Sequence, residues 1–181
     1  LELGGKSANI VFPDADLAKA AETAASVIFS AGQACTLPTR ILVHESIYDE
    51  FTAMVAGALG QIPLGDPLDP ATMMGPVISE AAVERILRTV DEATRDNGAE
   101  LLTGGSRAGG ELASGYYIEP TLLGNVSPTS EVAQNEVFGP VTAAIRFSDE
   151  EEAVAIANGT PYGLAGYVHT RDVSRVLRLA S

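Results

Sequence analysis

The stretch Ala8-Asn9-Ile10-Val11-Phe12-Pro13-Asp14-Ala15-Asp16-Leu17 decides how the chain is built. Residues 8–12 carry the apolar run of a strand, and Pro13 stops it. Asp14 or Asp16 is placed to cap a helix, since a short carboxylate there accepts a free N–H of the first turn. Leu17, Ala20, Ala21, Ala24 and Ile28 then recur at helical spacing, with Lys19, Glu22, Thr23, Ser26 and Ser30 on the opposite face. The alanines of the inner face permit close packing against a neighbour. This helix pattern runs into Phe29-Ser30-Ala31-Gly32-Gln33-Ala34-Cys35-Thr36, and a second strand, residues 40–44, runs out after Pro38.

The same alternation continues outward. Ser46 opens a helix, with Asp49 placed as the acid of a capping box and Ile47, Phe51, Met54, Val55, Ala58 and Leu59 as its buried stripe. Residues 61–76 hold four prolines and two glycines, too many for regular structure. A third helix is expected over residues 79–97, with Gly98 as its C′ residue. Residues 99–103 read as a short strand, and 104–115, with five glycines, as a surface loop. Residues 116–123 are extended chain interrupted by Pro120, and 128–140 are irregular. A strand follows at 141–147, then a helix to Asn158 opened by Ser148 and Glu151 as a capping box. A strand-like segment at 163–169 precedes a last helix from Asp172. Helices alternating with strands predict an α/β domain with a mainly parallel sheet and helices on both faces.

Bulk properties narrow the function classes. The 181 residues suit one domain. With 24 acidic and 11 basic residues the net charge is −13, which argues against nucleic-acid and anionic-membrane surfaces. A single cysteine cannot form an internal disulfide. No apolar run approaches the ~20 residues of a membrane-spanning helix and no signal peptide is visible, so a cytoplasmic location is expected. The chain opens at Leu1 without Met and closes inside a helix pattern, so residues 1–181 read as one domain cut at both ends.

Three features could carry chemistry: the Cys35 loop, the opening Glu2-Leu3-Gly4-Gly5-Lys6, and Glu136-Val137-Phe138-Gly139-Pro140. Each alone has a plain explanation. A lone cysteine is commonly a small buried hydrophobe, Gly4-Gly5 could be a turn, and Glu136 and Phe138 an exposed acid and a core aromatic. His44 and His169 stand far apart, and no Cys or His spacing suggests a metal site.

Together the three features resemble the aldehyde dehydrogenase superfamily in order and spacing. Asp14-Ala15-Asp16 and Tyr162-Gly163-Leu164-Ala165 also resemble family segments. The resemblance runs along the whole chain and implies the catalytic domain of an enzyme that oxidises a small aldehyde to a carboxylic acid with NAD or NADP. It implies that Cys35 attacks the aldehyde carbon to give a thiohemiacetal, that hydride loss leaves a thioester, and that Glu2 activates the water that hydrolyses it. The Cys35 backbone N–H would be one oxyanion donor. Glu136 matches the position that binds the nicotinamide ribose and Phe138 the one that packs beside the cofactor, while Leu3 would approach the nicotinamide through its backbone. Asn135 departs from the family pattern, which more often has a second acid there. The main cofactor-binding domain is not in this chain, so the chain alone is expected to be inactive. The resemblance also implies a homo-oligomer for the full-length protein. Two alternatives stay open: a relative that passes its acyl group to coenzyme A, and a binding or structural module of the same fold. Glu2 favours hydrolysis, because a base aimed at water serves only when water is the acceptor.

Overall fold

A computed structural model describes residues 3–95 and 97–180. Six strands form one sheet: β1 (Ala8–Val11), β2 (Arg40–His44), β3 (Glu100–Thr103), β4 (Thr121–Gly124), β5 (Val141–Phe147) and β6 (Gly166–His169). Their order across the sheet is β3-β4-β5-β2-β1-β6. Every neighbouring pair is parallel except β3 with β4. The helices are α1 (Leu17–Ala25), α2 (Tyr48–Leu59), α3 (Glu80–Arg95), α4 (Glu131–Gln134), α5 (Glu150–Asn158) and α6 (Val173–Leu179). The sheet is mainly parallel and carries helices on both faces, as the alternation predicts.

Strand alternation divides the core in two. Val11, Ile41, Val43 and Ala144 join the cluster that contains α1, α2 and α3. Ala8, Ile10, Phe12, Leu42 and Phe147 face the other way, against Ala153 of α5 and Leu179 of α6. There the Phe12 and Phe147 rings meet edge to face, 5.3 Å between centroids. The small inner residues Ala20, Ala21 and Ala24 let α1 lie close against α2. Phe51, Val55 and Leu59 of α2 are almost wholly buried, each contributing roughly 1.5–3 kcal/mol by leaving water.

The carboxyl ends of β1, β5 and β6 each lead to a helix capped by aspartate. Asp16 accepts from the Lys19 N–H, Asp149 from Glu152, and Asp172 from Ser174 and Arg175. The capping box of α5 therefore sits one residue later than expected: Asp149 is the cap, and Glu152 reaches back to the Ser148 N–H at 2.7 Å. Before α2 a single 3-10 turn intervenes over Glu45–Ile47, and its cap is His44, whose Nδ1 accepts from Ser46 N–H. Asp49 is consequently free to pair with Arg146 at 2.7 Å rather than to cap. The extended chain after Tyr116 becomes a true strand only from Thr121, once past Pro120, and that strand is inserted between β3 and β5. α3 ends at Arg95, so Gly98 lies beyond the expected C′ position, and it takes the left-handed region at φ +68° in the turn that leads to β3. Among the described residues no helix is long and apolar enough to cross a membrane, and no group of three or more His, Cys, Asp or Glu is arranged to hold a metal ion.

Candidate active site

The helical spacing that reaches Ile28 is not one continuous helix. α1 ends at Ala25, and Ser26–Gly32 continues as 3-10 turns broken at Phe29 (ψ 131°). Ser30, Ala31 and Gly32 then take φ of 50°, 51° and 74°. A non-glycine residue in this region costs roughly 1–2 kcal/mol, so two in succession must be held from outside. Gln33 does much of the holding. Its backbone N–H and its Nε2 both donate to the Ser30 carbonyl, at 3.0 and 2.9 Å. Its Oε1 accepts from the Ile78 N–H at 2.9 Å. Gly32 is there for space as well as for φ, since a Cβ would lie 2.0 Å from the Gly139 carbonyl oxygen. The result is Cys35 on a pinned loop, half-buried, with a free thiol.

The opening segment lies against this loop. A Cβ on Gly5 would stand 1.9 Å from the Cys35 carbonyl oxygen, so the two backbones touch. The Gly5 N–H donates to Glu136 Oε1 at 3.0 Å. One glycine thus contacts both the cysteine loop and the glutamate motif, from positions 30 and 131 residues away in sequence. A Cβ on Gly4 would come within 2.9 Å of Glu136 Oε2 and of the Tyr162 ring. Glu136 is held from below too: Arg85 of α3 donates to the Val137 carbonyl, and Val137 is buried. Phe138 is 41% exposed and has φ 50°, an unfavourable backbone angle for an aromatic residue. Leu3 is 63% exposed at the edge of the same segment. Glu2, the expected general base, lies outside the described residues.

Of the predicted residues, Cys35 and Glu136 are therefore brought together by Gly5, and Phe138 follows directly in the same motif. One oxygen of Glu136 is fixed on Gly5, and the second lies beside Gly4 and makes no hydrogen bond among the described residues. A carboxylate oxygen so placed suits a sugar hydroxyl, and an exposed aromatic beside it suits a flat ring. The residues present thus fit the nicotinamide-ribose half of a dinucleotide.

Several supporting residues escaped the sequence reading. Arg40, 1% exposed, opens β2. Its Nε donates to the Lys6 carbonyl at 2.9 Å, and its Nη1 and Nη2 to the Ile156 and Ala157 carbonyls at 2.8 Å each. It thereby ties the segment after Gly5 to the last turn of α5, where a cation is favoured by the helix dipole. Tyr167 of β6 donates to the Thr36 carbonyl at 2.8 Å, beside the cysteine. Lys6 is 3% exposed. Burial first, and the nearby Arg40 charge second, pull its pKa down to about 7, against the opposing pull of Glu136. An arginine at the start of an apolar strand was the one visible signal for this set, since a buried guanidinium needs partners.

All these loops enter strands. Residues 4–7 lead into β1, 33–39 into β2, 136–140 into β5 and 162–165 into β6, and these four strands are neighbours in the sheet. Open α/β sheets commonly bind ligands beyond the carboxyl ends of their strands; this site sits at the amino ends.

The sequence matches the profile of the aldehyde dehydrogenase family over residues 1–181. It is 48% identical over 187 aligned residues to an acetaldehyde dehydrogenase of Pseudomonas aeruginosa, covering 99% of this chain and 37% of that protein. Against a peroxisomal aminoaldehyde dehydrogenase of Pisum sativum it is 42% identical, with 99% and 36% covered. The fold superposes on betaine aldehyde dehydrogenase from Staphylococcus aureus, crystallised in complex with NAD+, with a TM-score of 0.96 at 41% identity, over 99% of this chain and 36% of that one. The chain thus spans little more than a third of the length of these relatives.

Proposed function

Because this chain belongs to the aldehyde dehydrogenase family, we propose that it forms the nucleophile-bearing part of an enzyme that oxidises an aldehyde to a carboxylic acid with NAD or NADP. The observation that carries the reading is the meeting of the Cys35 loop and the Glu136 motif on the single residue Gly5. The NAD+ complex of the S. aureus relative favours NAD as the cofactor.

Cys35 adds through sulfur to the aldehyde carbon, and the carbonyl oxygen becomes the oxyanion of a thiohemiacetal. In this reading the Cys35 backbone N–H donates to that oxygen as charge develops on it. The bound dinucleotide supplies the hydride acceptor. With a dinucleotide bound, Glu136 would accept from a ribose hydroxyl, and Phe138 and the Leu3 backbone would border the ring. Loss of hydride leaves an acyl thioester on Cys35. Glu2 takes a proton from water, the resulting hydroxide displaces sulfur, and the acid leaves with Cys35 restored as thiolate. The chain by itself holds only part of the dinucleotide site and is proposed to be inactive alone.

The test is an assay of the full-length protein with acetaldehyde and betaine aldehyde, each with NAD+ and with NADP+. Reduced dinucleotide should appear with at least one pair and vanish with Cys35→Ala. Turnover that survives Cys35→Ala refutes the assignment of the nucleophile. Glu2→Gln should leave the acyl-enzyme burst and slow its hydrolysis.

A further inference from the structure

The Cys35 loop is held differently on its two sides. Downstream of the cysteine, Tyr167 donates to the Thr36 carbonyl at 2.8 Å, and the Leu37 N–H closes a turn on the Ala34 carbonyl at 3.3 Å. Upstream stands the reversed turn, with Ser30, Ala31 and Gly32 all at positive φ. The Ser30 carbonyl, which opens that turn, receives two donors from one residue, the Gln33 backbone N–H at 3.0 Å and the Gln33 Nε2 at 2.9 Å. The other end of the same amide, Oε1, accepts from the Ile78 N–H at 2.9 Å, 45 residues further along the chain. Ile78 stands two residues before α3. α3 in turn carries Arg85, which donates to the Val137 carbonyl, and Ile86, whose side chain leaves no room for a Cβ on Gly139. One helix is therefore braced against both the cysteine loop and the Glu136 motif, and Gln33 is the brace on the cysteine side.

We propose that Gln33 is a positioning residue for the Cys35 thiol: its side-chain amide clamps the reversed turn to the chain entering α3, and so sets the direction from which sulfur meets the aldehyde. The proposal rests on the reading of Cys35 as the nucleophile. The task needs a donor and an acceptor at the two ends of one planar group, which an amide supplies. An ionised glutamate offers acceptors only and would set a carboxylate against the Ser30 carbonyl. Methionine matches the length and makes neither bond. Without the clamp, Ser30 and Ala31 have backbone strain to release, because positive φ is unfavourable for a residue with a Cβ. That release reaches Cys35 through Ala34 alone. Glu136 keeps its own anchors, on the Gly5 N–H and through Arg85 and Val137, so dinucleotide binding lies off this path.

The test compares Gln33→Met and Gln33→Glu with wild type in the full-length enzyme, with urea unfolding to show that each is folded. The burst of reduced dinucleotide reports attack by sulfur and loss of hydride. A displacement of about 1 Å at a reacting atom costs on the order of 10²-fold in rate. Gln33→Met should therefore slow the burst by at least about tenfold and leave KM for the dinucleotide unchanged. Gln33→Glu should be as slow at neutral pH. As the pH falls its carboxyl takes up a proton, matches the amide in shape and regains a donor for the Ser30 carbonyl, so its burst rate relative to wild type at the same pH should recover. A residue that served only stability would lower the urea midpoint and leave the burst of the folded enzyme at the wild-type rate; that result overturns the proposal. A Gln33→Glu to wild-type ratio that does not change with pH also overturns it, and decides the matter where Gln33→Met fails to fold. Cys35→Ala separates this proposal from the reading beneath it. Turnover that survives Cys35→Ala removes the nucleophile and Gln33 together, whereas an inactive Cys35→Ala beside an unimpaired Gln33→Met removes the role of Gln33 alone.

Discussion

Substituting Gly5→Ala should separate folding from catalysis. The added methyl would lie 1.9 Å from the Cys35 carbonyl oxygen and 3.0 Å from its carbonyl carbon, with Leu164 at 3.4 Å on the other side. Because the nearest atoms are backbone, no side-chain rotation relieves the clash. The Cys35 carbonyl or the entry to β1 must retreat by roughly 1 Å, and a misplacement of that size at a reacting centre costs on the order of 10²-fold in rate. Forcing a methyl into packed structure costs about 1–3 kcal/mol of stability. The Gly5 N–H bond to Glu136 moves with the backbone, so ribose affinity should fall too. The assay is kcat and KM for aldehyde and dinucleotide in the full-length enzyme, beside urea unfolding. Gly57→Ala is the matched control: Gly57 lies inside α2 with nothing within 4 Å of the new methyl, and should gain about 0.5–1 kcal/mol with unchanged turnover. Wild-type kcat and stability in Gly5→Ala would refute the claim that this contact sets the position of Cys35.

Arg40→Met leaves three carbonyls without their donor in a buried place and should cost about 2–5 kcal/mol in urea unfolding. Lys6 gives a pH signature. Its folded pKa, about 7, lies below the ~10.4 of an unfolded lysine. Between those values the unfolded chain binds more protons, so stability should rise with pH by up to ~1.4 kcal/mol per unit from this group, and the full penalty is felt below pH ~7. Lys6→Met should flatten the slope measured from pH 7 to 9. Phe138→Gly releases an aromatic from φ 50° and should stabilise the fold by about 1 kcal/mol while raising KM for the dinucleotide. Glu136→Gln keeps an acceptor for the Gly5 N–H, so stability should hold and the loss should appear in dinucleotide kinetics.

The alternation of strand and helix patterns was legible because each main helix presents one apolar stripe and each buried strand an apolar run. What lay beyond reach was of two kinds. One was local geometry hidden by a continuing pattern. Ile28 is buried just as a helical stripe predicts, yet it stands in a 3-10 segment past the end of α1, and hydrophobic spacing cannot report the reversal of φ at Ser30 and Ala31. Residues 116–123 read as extended chain broken at Pro120, but that Thr121–Gly124 pairs as β4 depends on its neighbours on both sides. The other kind was long-range contact. Cys35 and Glu136 were legible as residue types in motifs, but their connection through Gly5 depends on strand order, which periodicity does not encode. Arg40 likewise looks like an ordinary strand residue until the carbonyls of Lys6, Ile156 and Ala157 are folded onto it.

The aspartate caps bear on why the active end of the sheet is where it is. Helix N-termini carry partial positive charge and unpaired N–H groups, and in many α/β proteins they receive phosphates. Here the helices that follow β1, β5 and β6 have one or two of those groups taken by a carboxylate of the chain itself, Asp16, Asp149 and Asp172. The carboxyl edge of the sheet is thus a self-quenched surface. A phosphate approaching there meets three carboxylates in a protein of net charge −13. The opposite edge carries no aspartate cap of this kind and has the Arg40 guanidinium buried beneath its loops. Removing the caps together would do more than loosen three helices: it would open a rival docking edge about one strand length, roughly 13 Å, from the working one.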